Sequence, residues 1–249
     1  DLAMQEMVSK GITSFHDAGA SFETVERLKN RANAGTLPVR LYVMLGGSGR
    51  EIMANANKYR LLNYGDDHLT VRAIKQYMDG AIGSRGAWLL EPYSDLPSST
   101  GLPRGDLKDL ESVAAFAIEN NFQLAIHAIG DRANREVLNL YQKTFESHAG
   151  GAGNRDSLRW RIEHAQHIDP ADIPRFAQLG VVASMQAIHA TSDAIMVLPR
   201  LGPKRAEEGA YVWKSLLNAG AHVTNGTDTP VEDIDPIANY YASVIRSIG

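Results

Sequence analysis

Four residues far apart in the chain have side chains able to hold a metal ion and move a proton: Lys75, His127, His164 and Asp228. Imidazole and carboxylate are good ligands for zinc and similar ions. Each falls within or at the end of a different short apolar run, and each alone has a plain structural reading. A histidine on an apolar strand is more often a hydrogen-bonded core residue than a ligand, a strand-end lysine can reach solvent, and Asp228 can cap a turn before Pro230. The four together are harder to explain by chance. The chain contains no cysteine, so disulfides and thiolate zinc sites are excluded and any metal must use His, Asp, Glu or a modified Lys.

Seven β-rich runs would position these residues: Gly11–Ala18, Val39–Leu45, Val71–Met78, Phe122–Ile129, Leu158–Ala165, Val181–Gln186 and His222–Asp228. Amphipathic stretches with helix signals lie between them. Asp106 is expected to cap a helix running to about Asn120, Asp169 with Pro170 to open another, and Gly220 to close the helix through Ser215–Ala219. Strands alternating with helices predict a parallel sheet of βαβ units, and near-continuous apolar strands fit burial on both faces. An open doubly wound sheet and a closed barrel both satisfy this pattern. In a barrel the strand C-terminal ends gather at one face, which would bring the four residues together. No GxGxxG follows the first strand and no GxxxxGK[ST] occurs, which argues against a nucleotide-binding sheet. Gly46-Gly47-Ser48-Gly49 is read as a flexible loop after a strand.

The 249 residues match one (β/α) barrel of roughly 250 residues, and are also compatible with two small domains. The net charge of -4 comes without a basic block, so neither nucleic acid nor an anionic membrane is indicated as a partner. No apolar run approaches the ~20 residues needed to span a bilayer. The absence of cysteine and of a signal peptide fits a cytoplasmic protein. The chain opens on Asp1 rather than Met, and Asp1–Lys10 reads as the end of a helix, so the sequence is expected to begin inside a longer protein.

The runs IKQYMDGAIGSRGAWLLEPYSD, AIHAIGDRA, RWRIEHAQHIDPADIPRF and GTDTPVEDIDP closely resemble the amidohydrolase superfamily. They look most like its family 3 branch, which includes N-substituted formamide deformylases, and the resemblance covers nearly the whole chain. It implies an α/β fold, a (β/α)8 TIM-type barrel. The family's metal ligands are an HxH on strand 1, a Lys on strand 4, a His on each of strands 5 and 6, and an Asp on strand 8. By local motif Lys75, His127, His164 and Asp228 match the last four, and the seven runs become strands 2–8. The chain departs from the pattern in having no HxH. The family's small β-sandwich and the end of the last helix also have no counterpart. Residues 1–249 are therefore expected to form a single catalytic barrel domain, incomplete at both ends, with the edges of strands 2 and 8 exposed and able to favour a homodimer.

The resemblance implies one or two divalent metal ions, zinc foremost, with Lys75 either carboxylated to a carbamate that bridges two ions or unmodified beside a single ion. The activity implied is hydrolysis of an amide or other C–N bond in a small molecule by a metal-activated water, with Asp228 as general base and His127 and His164 as neutral ligands. Without HxH, Lys75, His127 and His164 could hold one ion, and weak or partial metal binding with little activity is expected. Ser84 and Arg85 in GAIGSRGA, and Gln186 and His189 after the seventh strand of the full barrel, are candidate substrate contacts, and His16 could face the pocket. Met44, Met78, Met185 and Trp88 read as packing residues or pocket walls, and His68, His148, His167 and His222 as surface or structural. Two rivals remain at this level: a deaminase or ester hydrolase on the same scaffold, and a degenerate barrel or fragment with a binding or structural role.

Overall fold

The computed structural model describes residues 2–148 and 157–246. The chain divides into two compact units, Asp1–Gln76 with Lys108–Ala125, and Tyr77–Leu107 with Ile126–Gly249. The first unit runs α1 (Leu2–Ser9), β1 (Ser14–Ala20), α2 (Phe22–Asn33), β2 (Arg40–Leu45), α3 (Gly49–Tyr59), β3 (Leu61–Asn63), a single turn α4 (Tyr64–Asp67), β4 (Leu69–Tyr77) and α5 (Leu107–Glu119), the last two each crossing the boundary by one residue. β5 (Gln123–Ala128) begins in this unit and ends in the other. The second unit continues with α6 (Asp131–His148), β6 (Arg161–His164), α7 (Ile173–Leu179), β7 (Val182–Met185), α8 (Ala187–Ser192), α9 (Ala194–Gly209), α10 (Trp213–Asn218), β8 (Val223–Asn225) and α11 (Pro236–Ile245). The fold is α/β with seven parallel strands.

In the first unit the strand order is β1-β2-β4-β5. β1 pairs parallel with β2, and β2 with β4. β3 is an addition that the sequence reading did not foresee: Leu61 pairs antiparallel with Val71 of β4, and three residues are too few to show an alternating pattern. Val43, Leu45, Ile52, Leu69, Val71 and Ile74 are wholly buried, and Met44 packs with Ala73 and Ala125, as expected of a core residue. The glycine cluster is not simply a loop. Ser48 caps α3 by accepting from Glu51 N, and the Glu51 carboxylate returns to Ser48 N at 3.0 Å, a capping box that starts the helix at Gly49.

In the second unit the order is β5-β6-β7-β8, with Arg161 opposite Val182 and Met185 opposite Asn225. β5 and β6 are buried along their whole length. α6 packs on the start of β6 through aromatic rings. Trp160 lies 5.0 Å from both Tyr141 and Phe145, and the Tyr141 hydroxyl donates to Arg161 O at 3.0 Å. The expected helix opening at Asp169-Pro170 is displaced. Asp169 Oδ1 accepts from Ala171 N in a turn, and α7 begins at Ile173 with Pro174 in its first turn. A helix from Pro170 would have put Pro174 in its interior, where the ring removes a backbone bond. Asp106 does precede a helix, α5, as expected, and Gly220 follows α10 with φ 85°. No helix among the described residues is long and apolar enough to cross a membrane.

The segment after β4 builds its own core. Ile82, Ala87, Leu89 and Tyr93 pack with Ile129, Leu201, Ala210 and Tyr211. It lies so close to the end of β5 that a Cβ on Gly130 would stand 2.1 Å from Trp88 O, whereas a Cβ on Gly226 would meet nothing within 4 Å. Gly130→Ala is therefore expected to lower stability in urea unfolding by about 1–3 kcal/mol, the usual range for overpacking, and Gly226→Ala to change it little.

Candidate metal centre

The ends of successive parallel strands supply the polar residues of the second unit. His127 is the next-to-last residue of β5 and His164 the last of β6. β7 ends at Met185, and one turn later His189 stands in α8. Asp228 follows β8 after a three-residue step. The three imidazoles form a row, with ring centroids 4.4 Å apart from His127 to His164 and 5.9 Å from His164 to His189. One donor atom from each of His164, His189 and Asp228 lies within 4.8 Å of the others. All three histidines are buried, and the Asp228 side chain is about a third exposed. His164 and Asp228 hold φ of 76° and 58°, the left-handed region that costs a non-glycine residue energy and is enriched at functional sites.

His189 lies between two carboxylates. Its Nε2 is 3.3 Å from Asp228 Oδ2 and its Nδ1 is 3.2 Å from Glu232 Oε1, which also accepts from Ser192 Oγ at 2.5 Å. Burial alone would pull the imidazole pKa down, but the hydrogen bonds to Asp228 and then Glu232 outweigh it and raise the pKa above the ordinary value. The first N–H groups of α8, which have no partner inside the helix, are taken by side chains. Asn225 Oδ1 accepts from Ala187 N at 2.9 Å, and Asn239 Oδ1 from Ile188 N at 3.1 Å. Beyond α8, Asp193 Oδ2 accepts from Gln166 Nε2 at 2.9 Å and from the Tyr211 hydroxyl at 2.6 Å. β8, α11 and the chain after His164 are thereby tied to the helix that carries His189.

Asp79, two residues past β4, is wholly buried beside His127, with Oδ1 3.4 Å from His127 Nε2. It accepts backbone N–H from Trp88 at 2.8 Å, Ile129 at 3.0 Å and Gly130 at 2.8 Å. Burial pushes its carboxyl up to about 7 against those three donors. Asp131 makes a second such joint, accepting from Leu90 N at 2.9 Å with His167 Nε2 at 3.5 Å. His167 thus has the structural place expected of it. Burial raises the Asp131 pKa, but the interaction with His167 and the N–H groups of Leu90 and Arg132 bring it below the ordinary value.

Lys75 belongs to the first unit, on β4, where it is buried and Nζ donates to Gln76 O at 3.2 Å. His16, in the same unit, packs its ring on Tyr42. Ser84 Oγ donates to Ala81 O at 3.2 Å. Arg85 forks onto Asp95, with Nε 3.2 Å and Nη2 2.9 Å from its oxygens, and Arg200 pairs with the same carboxylate. Gln186 is buried and donates to Ser184 O at 3.0 Å. The sequence reading missed Asp79 and Glu232. Both were visible as acidic residues inside the quoted words, four residues past Lys75 and past Asp228 respectively, but nothing in the sequence separated them from solvated carboxylates.

A parallel α/β fold with histidines and an aspartate at strand ends is an arrangement that suits a metal-dependent hydrolase. The whole chain, residues 1–249, matches the amidohydrolase family, and the chain belongs to it. It is 30% identical over 249 residues to the putative amidohydrolase YtcJ of Bacillus subtilis, covering 98% of this chain and 44% of that protein. It is 42% identical over 178 residues to the protein LONG AFTER FAR-RED 3 of Arabidopsis thaliana, covering 72% of this chain and 30% of that one. The crystal structure of an uncharacterized metal-dependent hydrolase from Pyrococcus horikoshii superposes with a TM-score of 0.85 at 26% identity, over 98% of this chain and 47% of the other. The chain spans less than half the length of these relatives.

Two outcomes follow from the buried carboxylates. Asp79→Ala leaves the buried N–H groups of Ile129 and Gly130 and the part-buried N–H of Trp88 without their acceptor, at about 1–3 kcal/mol for each buried group, so a loss of about 2 kcal/mol or more is expected in urea unfolding. Asp131 has a depressed folded pKa, so its contribution is present above the ordinary carboxylate range and lost as pH falls through the folded value. Asp131→Asn should be less stable than wild type at neutral pH, and the gap should close in unfolding measured below about pH 4.

Proposed function

We propose that the chain is the metal-holding, catalytic part of a hydrolase that cleaves an amide or related C–N bond of a small molecule. The observation that supports this reading is the placing of His127 and His164 at the ends of β5 and β6, and of Asp228 just after β8, in one unit, in a chain of the amidohydrolase family. The residues fit a divalent ion such as zinc. The donors are imidazole nitrogen and carboxylate oxygen, the histidines are buried, and His127 has a carboxylate beside its ring, as metal-bound histidines commonly do. Lys75 is assigned to the same centre by its motif, IKQYMDG, and carboxylation of its amine belongs to this reading.

A divalent ion supplies Lewis acidity to the substrate carbonyl and lowers the pKa of water. Asp228 accepts the proton of the attacking water and returns it to the leaving nitrogen. Its partial exposure opens the carboxylate to substrate, and His189 fixes Oδ2 at 3.3 Å. Asp79 steadies the His127 ring from behind.

The test loads the purified chain with zinc in bicarbonate buffer, measures bound metal, and compares hydrolysis of N-acyl amines with that of esters and aminated bases. Bound zinc with preference for N-acyl amines is expected. His164→Ala and Lys75→Ala should lose metal, and Asp228→Asn should lower kcat by about 100-fold or more. A chain that takes up no zinc overturns the metal-dependent reading, and turnover confined to esters or aminated bases overturns the C–N amide reading.

A further inference from the structure

We propose that His189 is itself a metal ligand, in one compact site with His164 and Asp228, and that Glu232 is the carboxylate that holds its other ring nitrogen. The proposal rests on the metal-dependent reading above and extends its ligand set to a residue expected from sequence only to touch substrate.

The geometry favours this role over a substrate contact. His189 is 7% exposed, and both of its nitrogens face protein carboxylates at 3.2–3.3 Å, so neither is presented to an open pocket. Donors bound at about 2.0–2.1 Å to one tetrahedral zinc ion lie about 3.4 Å apart. The 3.3 Å between His189 Nε2 and Asp228 Oδ2 already has that spacing, and His164 needs only a small closure from the 4.8 Å limit that bounds the group. Donors of this kind, two imidazole nitrogens and one carboxylate oxygen, are those of a catalytic zinc site that leaves a fourth position open. His127 lies outside this compact group, with its Nε2 directed to Asp79.

The surroundings of His189 also match those of a ligand. A metal-bound histidine donates its second ring N–H to a carboxylate or carbonyl, which fixes tautomer and ring angle. Glu232 Oε1 stands at that position, and Ser192 Oγ donates to the same oxygen and steadies it. The helix beneath is anchored on both sides, by Asn225 and Asn239 at its start and by the Asp193–Gln166–Tyr211 cluster after its end. The anchors run to β8, which precedes Asp228, and to Gln166, two residues after His164. All three donors are therefore positioned by one connected framework. Binding an ion there would release the proton held between His189 Nε2 and Asp228 Oδ2 to solvent and free the Nε2 lone pair for the ion.

The test measures zinc affinity of the full chain by competition with a chromophoric chelator, and the visible spectrum of the cobalt(II) form, for wild type, His189→Ala, Glu232→Gln and His164→Ala. Circular dichroism checks folding. His189→Ala is expected to weaken zinc binding by about 100-fold or more and to change the cobalt spectrum. Glu232→Gln, a milder change at a partly exposed residue, should weaken binding by about 10–100-fold, the usual effect of losing a carboxylate behind a ligating histidine. If His189→Ala does not fold, the Glu232→Gln affinity and cobalt spectrum decide. Wild-type affinity and spectrum in both variants, with metal lost in His164→Ala, would overturn the proposal and leave the metal-dependent hydrolase reading standing. Weak binding in His189→Ala with Glu232→Gln unchanged would keep the ligand and overturn the role of Glu232. A wild-type chain that binds neither zinc nor cobalt would overturn both readings.

Discussion

Neighbouring parallel strands lie about 4.8 Å apart and end on the same side, and the candidate centre depends on that constraint. β5, β6, β7 and β8 follow one another in the second unit, so whatever residues close those strands must meet. His127 and His164 close two of them, and His189 and Asp228 come one short step after the others. The row of three imidazoles is a consequence of strand order, and Asp228 completes it where the row ends.

Strand order brings the residues near one another, and buried carboxylates fix them. Asp79 joins the segment after β4 to the end of β5 through three N–H groups, and Asp131 joins the same segment to the start of α6. Asp193 and Glu232, both only partly buried, make similar ties around α8. A carboxylate taken out of water must find donors or lose its charge, so Asp79 and Asp131 each favour one arrangement of their neighbours. That rigidity is what a metal centre needs, because donor atoms must already stand close to their bound positions. It also supports the left-handed backbone at His164 and Asp228, which local sequence would not favour.

The first unit is organised by more local rules. Ser21 and Ser48 cap α2 and α3, and the apolar residues of β2 and β4 are buried between helices. Lys75 is buried on β4 in that setting. β1 stands at the end of the strand order with most of its residues exposed, as an edge strand would.

The sequence by itself determined the seven parallel strands, to within a few residues at each end, because apolar runs bounded by helix signals are a local pattern. It determined the family through words such as IKQYMDG and RIEHAQH, and it marked His127, His164 and Asp228 as strand-end residues. It read the glycine cluster as a loop, which holds up to Ser48, without the capping box that starts α3 at Gly49; it misplaced the opening of α7, where Pro174 stands in the first turn, and it missed β3, too short to show a period. Only the tertiary structure decided what surrounds each polar residue. Asp79 and Glu232 looked like solvated carboxylates until folding buried the first against three N–H groups and set the second against His189. Arg85 looked available until Asp95 engaged it. Periodicity is written along the chain, whereas hydrogen-bond partners distant in sequence are chosen only when packing closes them off from water.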